Sequence, residues 1–307
     1  MAPKSQSKPF TPLLPAHILP AGKTISQTPL SVGEESLSPV FRDNFTITTW
    51  LLLGALFQGA LLTLFGSLAL LPAILLTLYK AVDTTLMATG LTRNRYLDGI
   101  IKTKYGSQHP NPDGSFGSEP SSKGIVVFLL GSKCNHPLGI LAPGFAELGK
   151  RGDALVASYK ERSEEYGLLN MKTWIGQTHD SGNEIVTVFY LRDYESLHKF
   201  AHDELHMDTV RWWGQVVKKY PHIAIYHETY VVPEGHWENI YAQSHPTGMG
   251  GAMFPFRKSV KGEVQEGWAR GVIEQKGVLR SASGRLKGMS YLREREMEGD
   301  ELYDMPI

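Results

Sequence analysis

Three spacings of hydrophobic residues succeed one another along the chain, and each predicts a different structure. Residues 1–43 carry repeated prolines (Pro9, Pro12, Pro15, Pro20, Pro29, Pro39) and little periodicity, which predicts a mostly disordered tail. From Asn44 to Tyr79 no side chain is charged, and Trp50–Tyr79 reads WLLLGALFQGALLTLFGSLALLPAILLTLY. About 20 apolar helical residues cross a bilayer, so residues 44–80 predict a membrane segment. A water-soluble helix this apolar would have to be buried on every side. Two full crossings need about 40 residues and a turn, so one tilted span is the favoured form. Gly66, Ser67 and Pro72 mark where a hairpin would break. A cleavable signal peptide is not expected, given the long polar stretch in front of the run.

After the apolar run, Ala81–Lys104 has mixed composition with room for a short interfacial helix, and Ser107–Ser122 is rich in Pro, Gly and Ser; residues 81–122 therefore predict a linker. From 123 to 233 the pattern alternates. Gly124–Leu130 (GIVVFLL) is a short, β-branched apolar run, as in a buried strand. Phe145, Leu148, Leu155, Val156 and Tyr159 are spaced as on a helix. Asn170–Gln177 and Glu184–Tyr190 alternate as strands, with a hairpin turn at His179–Asn183. Asp193 caps a helix that runs to Tyr220 with a break near Asp208–Thr209, and Pro221 precedes a last strand, His222–Val232.

The order β-α-β-β-α-β predicts an α+β, ferredoxin-like domain behind an N-terminal transmembrane helix. Both parities of the Gly124–Leu130 and Glu184–Tyr190 strands are apolar, so the sheet face away from the helices needs a cover. A second copy would supply it, which predicts a homodimer with a shared barrel. Residues 234–307 mix charges with little core and predict an irregular extension.

Charge refines the picture. Lys80, Arg93, Arg95, Lys102 and Lys104 follow the apolar run, whereas Arg42 before it is offset by Asp43; the positive-inside rule then puts the C-terminal part in the cytosol, with the endoplasmic reticulum as the expected membrane. Asn44-Phe45-Thr46 matches a glycosylation sequon next to the bilayer. The 31 basic and 31 acidic residues balance, leaving no electrostatic footprint for nucleic acid. Cys134 is the single cysteine; it excludes an intrachain disulfide and suits a reducing compartment.

His198, His202 and His206 recur at a spacing of four, which places them along one stripe of a continuous helix. Such a pair chelates a transition metal only if further ligands converge, with Asp203, Glu204, His227 and Glu228 as the available types. The alternatives are amphipathic-helix histidines or acid–base roles near neutral pH. On the last strand, alternation puts Ile223, Ile225, His227 and Thr229 on one face and Tyr226, Glu228 and Tyr230 on the other. A histidine among isoleucines is either a satisfied core residue or a pocket residue. Gly248–Gly251 follows no strand and reads as a flexible loop rather than a dinucleotide site; Walker and nucleophile-elbow motifs are missing.

The element order, the WIGQT strand (Trp174–Thr178), VTVFYLRDYESLHKFAHDELH (Val186–His206), Trp212-Trp213 and IYHETY (Ile225–Tyr230) resemble the monooxygenase-like domains of the antibiotic-biosynthesis monooxygenases, a dimeric α+β-barrel superfamily. With the apolar run in front, the chain is similar to fungal members from secondary-metabolite clusters, including fumagillin-type biosynthesis. The resemblance implies oxidation of a lipophilic polyketide or terpenoid by molecular oxygen on a membrane, without a cofactor or bound metal. It favours His206 as the base, with His202 and His227 behind it, and Trp213, Tyr226 and Trp174 as substrate walls. The superfamily also holds haem enzymes and non-oxygenases, so a haem or metal enzyme and a non-catalytic metabolite-binding dimer are the alternatives.

Overall fold

The computed structural model describes residues 8–20, 38–176 and 184–286, together with Lys23, Ile25 and Pro29. In chain order its elements are β1 (His17–Ile18), α1 (Ser38–Asp43), α2 (Ile47–Phe65), α3 (Leu71–Ala88), β2 (Tyr105–Ser107) and β3 (Ile125–Cys134). There follow α4 (Phe145–Glu161), β4 (Leu168–Gly176), β5 (Glu184–Leu191), α5 (Tyr194–Ala201), α6 (Glu204–Val216) and β6 (Ile223–Val232). The chain continues through β7 (Met253–Val260), β8 (Glu263–Arg270), β9 (Val272–Glu274) and α7 (Ala282–Arg285). The predicted hairpin turn at His179–Asn183 lies outside the described residues.

Strands β3 to β6 form one antiparallel sheet in the order β4-β5-β3-β6, the ferredoxin-like arrangement expected from β-α-β-β-α-β. The two chain-adjacent strands pair as a hairpin, and the first strand lies between the third and fourth. One sheet face, carrying Val126, Phe128, Leu130, Phe189 and Leu191, packs against Tyr159, Tyr166, Leu197 and Phe200 from the helical side. Each such side chain taken from water contributes about 1.5–3 kcal/mol.

The second helical stretch is broken earlier than its composition predicts. It stops at Ala201 and restarts at Glu204, because the Asp203 carboxylate accepts a hydrogen bond from the Leu205 amide and caps a new helix. No break occurs at Asp208–Thr209, and the three histidines do not share one helix: His198 lies on α5, His202 is its cap and His206 lies on α6.

Residues 234–286 are not an irregular extension. Strands β7 and β8 form a hairpin whose other edge pairs with β1, and β9 pairs with β2. Trp268, Ile273 and Leu279 are fully buried there. Stretch 81–122 is correspondingly more than a linker, since β2 belongs to this second layer and Ser107, Gln108 and His109 are buried. The tail is partly ordered as well: Phe10 packs beside Phe116 and Ile273, and Leu19 and Ile25 pack with Met253 and Trp268. Sequence periodicity misses these because β1 and β2 pair with strands far along the chain, β8 and β9.

The apolar run is two helices with a break between them rather than one continuous helix. α2 ends at Gly66, whose φ of 63° leaves the helical region, and a 3-10 turn (Gly66–Leu70) leads into α3 with Pro72 in its first turn. Both helices are exposed along nearly their whole length.

Candidate functional site

Among the described residues, the sheet face away from α4–α6 is covered at one end only. There Ile125, Val127, Tyr190 and Val232 pack under Trp237, Met249, Ala252 and Phe254. The 3-10 turn Gly248–Gly251 lies on this end, held where Asn170 Nδ2 donates to the Gly248 carbonyl at 2.6 Å. It is therefore a packed turn and not a free loop.

The rest of the face is open, and the strand register fixes what lies on it. Trp174 is opposite Val186, Val186 opposite Gly131, and Gly131 opposite Tyr226, one row across all four strands. The next row is Lys172, Val188, Leu129 and Glu228. Residues in one row point to the same side, so an apolar floor runs between aromatic and charged edges. Trp174 is 55% exposed, and Lys172 Nζ stands 4.6 Å from its ring centre. Lys172 also donates to Thr247 Oγ1 at 2.9 Å, tying the packed turn to the open floor.

At the opposite edge Tyr226 reaches back across Gly131. Its hydroxyl donates to Glu184 Oε1 at 2.5 Å, and Tyr230 donates likewise to Glu228 Oε2 at 2.5 Å. Burial, together with the Glu184 carboxylate, pushes the Tyr226 phenol up to about 12. It therefore stays protonated at neutral pH and acts as a hydrogen-bond donor. The face offers phenol donors, carboxylate acceptors, the Lys172 ammonium and an apolar floor. That set can orient a flat, lipophilic molecule by its oxygen atoms and take a proton from it.

Of the predicted site residues, the structure brings Trp174 and Tyr226 together on this face. The others lie on the helical side. Trp213 is half-buried beside Cys134, Phe145 and Ile223. His206 is half-buried against the Phe200 ring, with Nδ1 2.8 Å from the Ala201 carbonyl. His202 is exposed, its Nδ1 2.8 Å from the His198 carbonyl and its ring stacked on that of His198. His227 is exposed on edge strand β6, 5.7 Å from the Phe128 ring, so it is not a core histidine. Among the described residues no group of three or more His, Cys, Asp and Glu side chains converges as a metal would require. Cys134 is buried, which pushes its thiol up.

Lys172, Glu184 and Gly131 are absent from the residues that the sequence singles out. Alternation already assigns Tyr226, Glu228 and Tyr230 to one face. It does not supply the register that sets Gly131 beneath Tyr226 and Glu184 within its reach.

The monooxygenase af470-like family model matches residues 125–249, from the first strand of the sheet to the turn that packs on its face. Monooxygenase af470 of Aspergillus fumigatus is 34% identical over 210 residues, covering 68% of this chain and 75% of that protein. Among solved structures, SnoaB, a cofactor-independent oxygenase from Streptomyces nogalater, is 12% identical over 36% of this chain and 95% of its own, with a TM-score of 0.25. A possible oxidoreductase from Bacteroides thetaiotaomicron is 9% identical over 35% of this chain and 97% of its own, with a TM-score of 0.26. Likenesses that distant carry no argument about chemistry. The sequence match to the Aspergillus protein is of another order, and on it this chain belongs to the monooxygenase af470-like family of oxidoreductases.

Proposed function

We propose that this protein is a membrane-associated monooxygenase that oxidises a lipophilic polyketide or terpenoid intermediate of fungal secondary metabolism, in a fumagillin-like pathway. The observation that carries the site is the row Trp174–Val186–Gly131–Tyr226, with Tyr226 hydrogen-bonded to Glu184. The substrate lies on the apolar floor between the two aromatic edges, and a second copy closes the face into a shared cavity. The exposed α2 and α3 hold the protein at a lipid surface, the endoplasmic reticulum with the domain towards the cytosol, where such a substrate concentrates.

The chemistry runs without a cofactor. Triplet oxygen reacts slowly with closed-shell molecules, so the substrate must first become electron-rich. Glu184 takes a proton from a methylene activated by neighbouring π systems; once protonated it no longer needs the Tyr226 hydroxyl, which turns to donate to the oxygen that gains charge. The carbanion passes one electron to oxygen, the pair combines to a hydroperoxide, and loss of water leaves a carbonyl. In balance, one methylene group and one dioxygen molecule become one carbonyl group and one water molecule, with both reducing electrons drawn from the substrate.

Single-turnover reactions under isotopically labelled oxygen test this reading. One labelled atom is expected in the product and one in water. Absence of any labelled product from protein that still binds the compound would favour a non-catalytic carrier. Tyr226→Phe and Glu184→Gln are expected to lower kcat at least tenfold. Loss of turnover in His206→Ala, His202→Ala or His227→Ala with Tyr226→Phe unaffected would move the chemistry to the helical side. A Soret band in purified protein would instead indicate haem, with one of those imidazoles as its ligand.

A further inference from the structure

The geometry points to a helical hairpin that enters the bilayer and returns to the face it came from, so that residues before Asn44 and the whole folded domain lie on the same side. This rests on the membrane reading of α2 and α3, and it replaces the single span expected from length alone.

The first observation is where the chain before the apolar run is attached. The Phe10 amide donates to the Gly117 carbonyl, Leu13 to Val272 and Leu19 to Glu266, at 2.9, 2.9 and 3.0 Å. Strand β1 pairs with β8, His17 opposite Trp268 and Ile18 opposite Gly267. The Ile25 amide donates to Glu266 Oε2 at 2.9 Å, and the Ile25 side chain is buried with Met253 and Trp268. Immediately before α2, Asn44 Oδ1 accepts from the Ile140 amide at 2.7 Å, and Asn44 Nδ2 donates to the Leu138 carbonyl. The backbone and side-chain partners in these hydrogen bonds all follow the apolar run in sequence. A main chain paired in one sheet cannot be parted by a bilayer, so the run must cross an even number of times.

The second observation lies within the run and is independent of the first. Gln58 Nε2 donates to the Ala69 carbonyl at 3.0 Å. Eleven residues of continuous helix would separate them by about 16 Å along the axis, beyond a glutamine's reach. The chain has turned at Gly66, and Gln58 satisfies a carbonyl that the turn releases. An unpaired carbonyl is costly in hydrocarbon, which gives Gln58, the one amide side chain between Ile47 and Ala88, a purpose. The 19 residues of α2 and the 18 of α3 span about 28 and 27 Å, so each leg matches the hydrocarbon thickness of about 30 Å.

The full chain, tagged at either terminus and expressed in fungal cells, tests this on isolated microsomes. Resistance to alkaline carbonate extraction checks the membrane reading, and protease treatment of sealed vesicles checks the topology. The expected result is a carbonate-resistant protein whose two tags share one fate, both digested or both protected. A carbonate-resistant protein with one tag digested and the other protected overturns the hairpin and leaves membrane anchoring standing. Release by carbonate overturns both.

Discussion

The ring of Tyr226 lies over Gly131, so closely that a Cβ on Gly131 would overlap the ring. That contact lets the Tyr226 hydroxyl reach Glu184 on β5, across the central strand.

Gly131→Ala is expected to push Tyr226 off the face. The ring is half-exposed and can swing outward, so stability should fall by only about 1 kcal/mol. Turnover should drop at least as far as in Tyr226→Phe. Denaturant melts run beside single-turnover assays check both numbers; an active Gly131→Ala variant would remove the Tyr226–Glu184 pair from the site.

His109 predicts an acid-sensitive fold. The side chain is 8% exposed, wedged between the Trp237 and Phe254 rings, with neither ring nitrogen partnered among the described residues. Burial pushes it down from 6.5 to about 4, so the fold prefers the neutral ring. The unfolded chain then takes up its proton first as pH falls. Stability is unaffected above about pH 6.5 and declines towards pH 4, by about 3 kcal/mol in all. Urea melts between pH 7.5 and 4.5 should show this slope, and His109→Phe should flatten it.

Asp203 joins the broken helical stretch to the rest of its layer. Its carboxylate accepts from the Leu205 amide, from Arg162 Nη1 at 2.7 Å and from the Tyr166 hydroxyl at 2.9 Å. The Arg162 guanidinium holds it below the usual carboxylate range. Its contribution is therefore present above about pH 4 and is lost as the pH falls further. Asp203→Ala should cost about 1–2 kcal/mol and free the first turn of α6, including His206, for hydrogen exchange. Unchanged exchange in that turn would count against the capping role.

Arg285 closes the second layer. It is 3% exposed, pairs with Glu238 through Nε at 2.5 Å, and donates from Nη1 to the Leu279 and Arg280 carbonyls at 2.9 and 3.0 Å. Arg285→Ala removes these bonds and should cost about 2–3 kcal/mol. Arg285→Lys should recover little, because an ammonium cannot span the three acceptors as a planar guanidinium does. Chemical denaturation of the two variants measures the difference.

The sheet domain was legible because each of its strands carries its own signal. Gly124–Leu130 is apolar at both parities, and His222–Val232 alternates cleanly; only the order of elements was needed to reach the topology. The helix break at Asp203 was harder to see, since Asp and Glu also occur within helices and only the amide bond to Leu205 turns Asp203 into a cap. The second layer was hidden for another reason. Met253–Val260 and Glu263–Arg270 do flank a tight turn, where Lys261 and Gly262 have φ of 53° and 86°, but the third strand beside them comes from residues 17–18. The candidate site was half legible: Trp174 and Tyr226 were named by type, whereas the row that unites them depends on register, which a single strand does not encode.

The pairing of β1 with β8 bears on how a water-soluble version should be made. The obvious cut, after Ala88, removes the apolar helices together with Leu19 and Ile25, which pack with Trp268, and with β1, which pairs with the edge of β8. Such a protein would present a bare strand and a partly uncovered indole, a template for association with its own copies. Excising the helices while keeping the leading segment on the same chain preserves that edge. For this fold, solubility is better sought by internal deletion than by truncation.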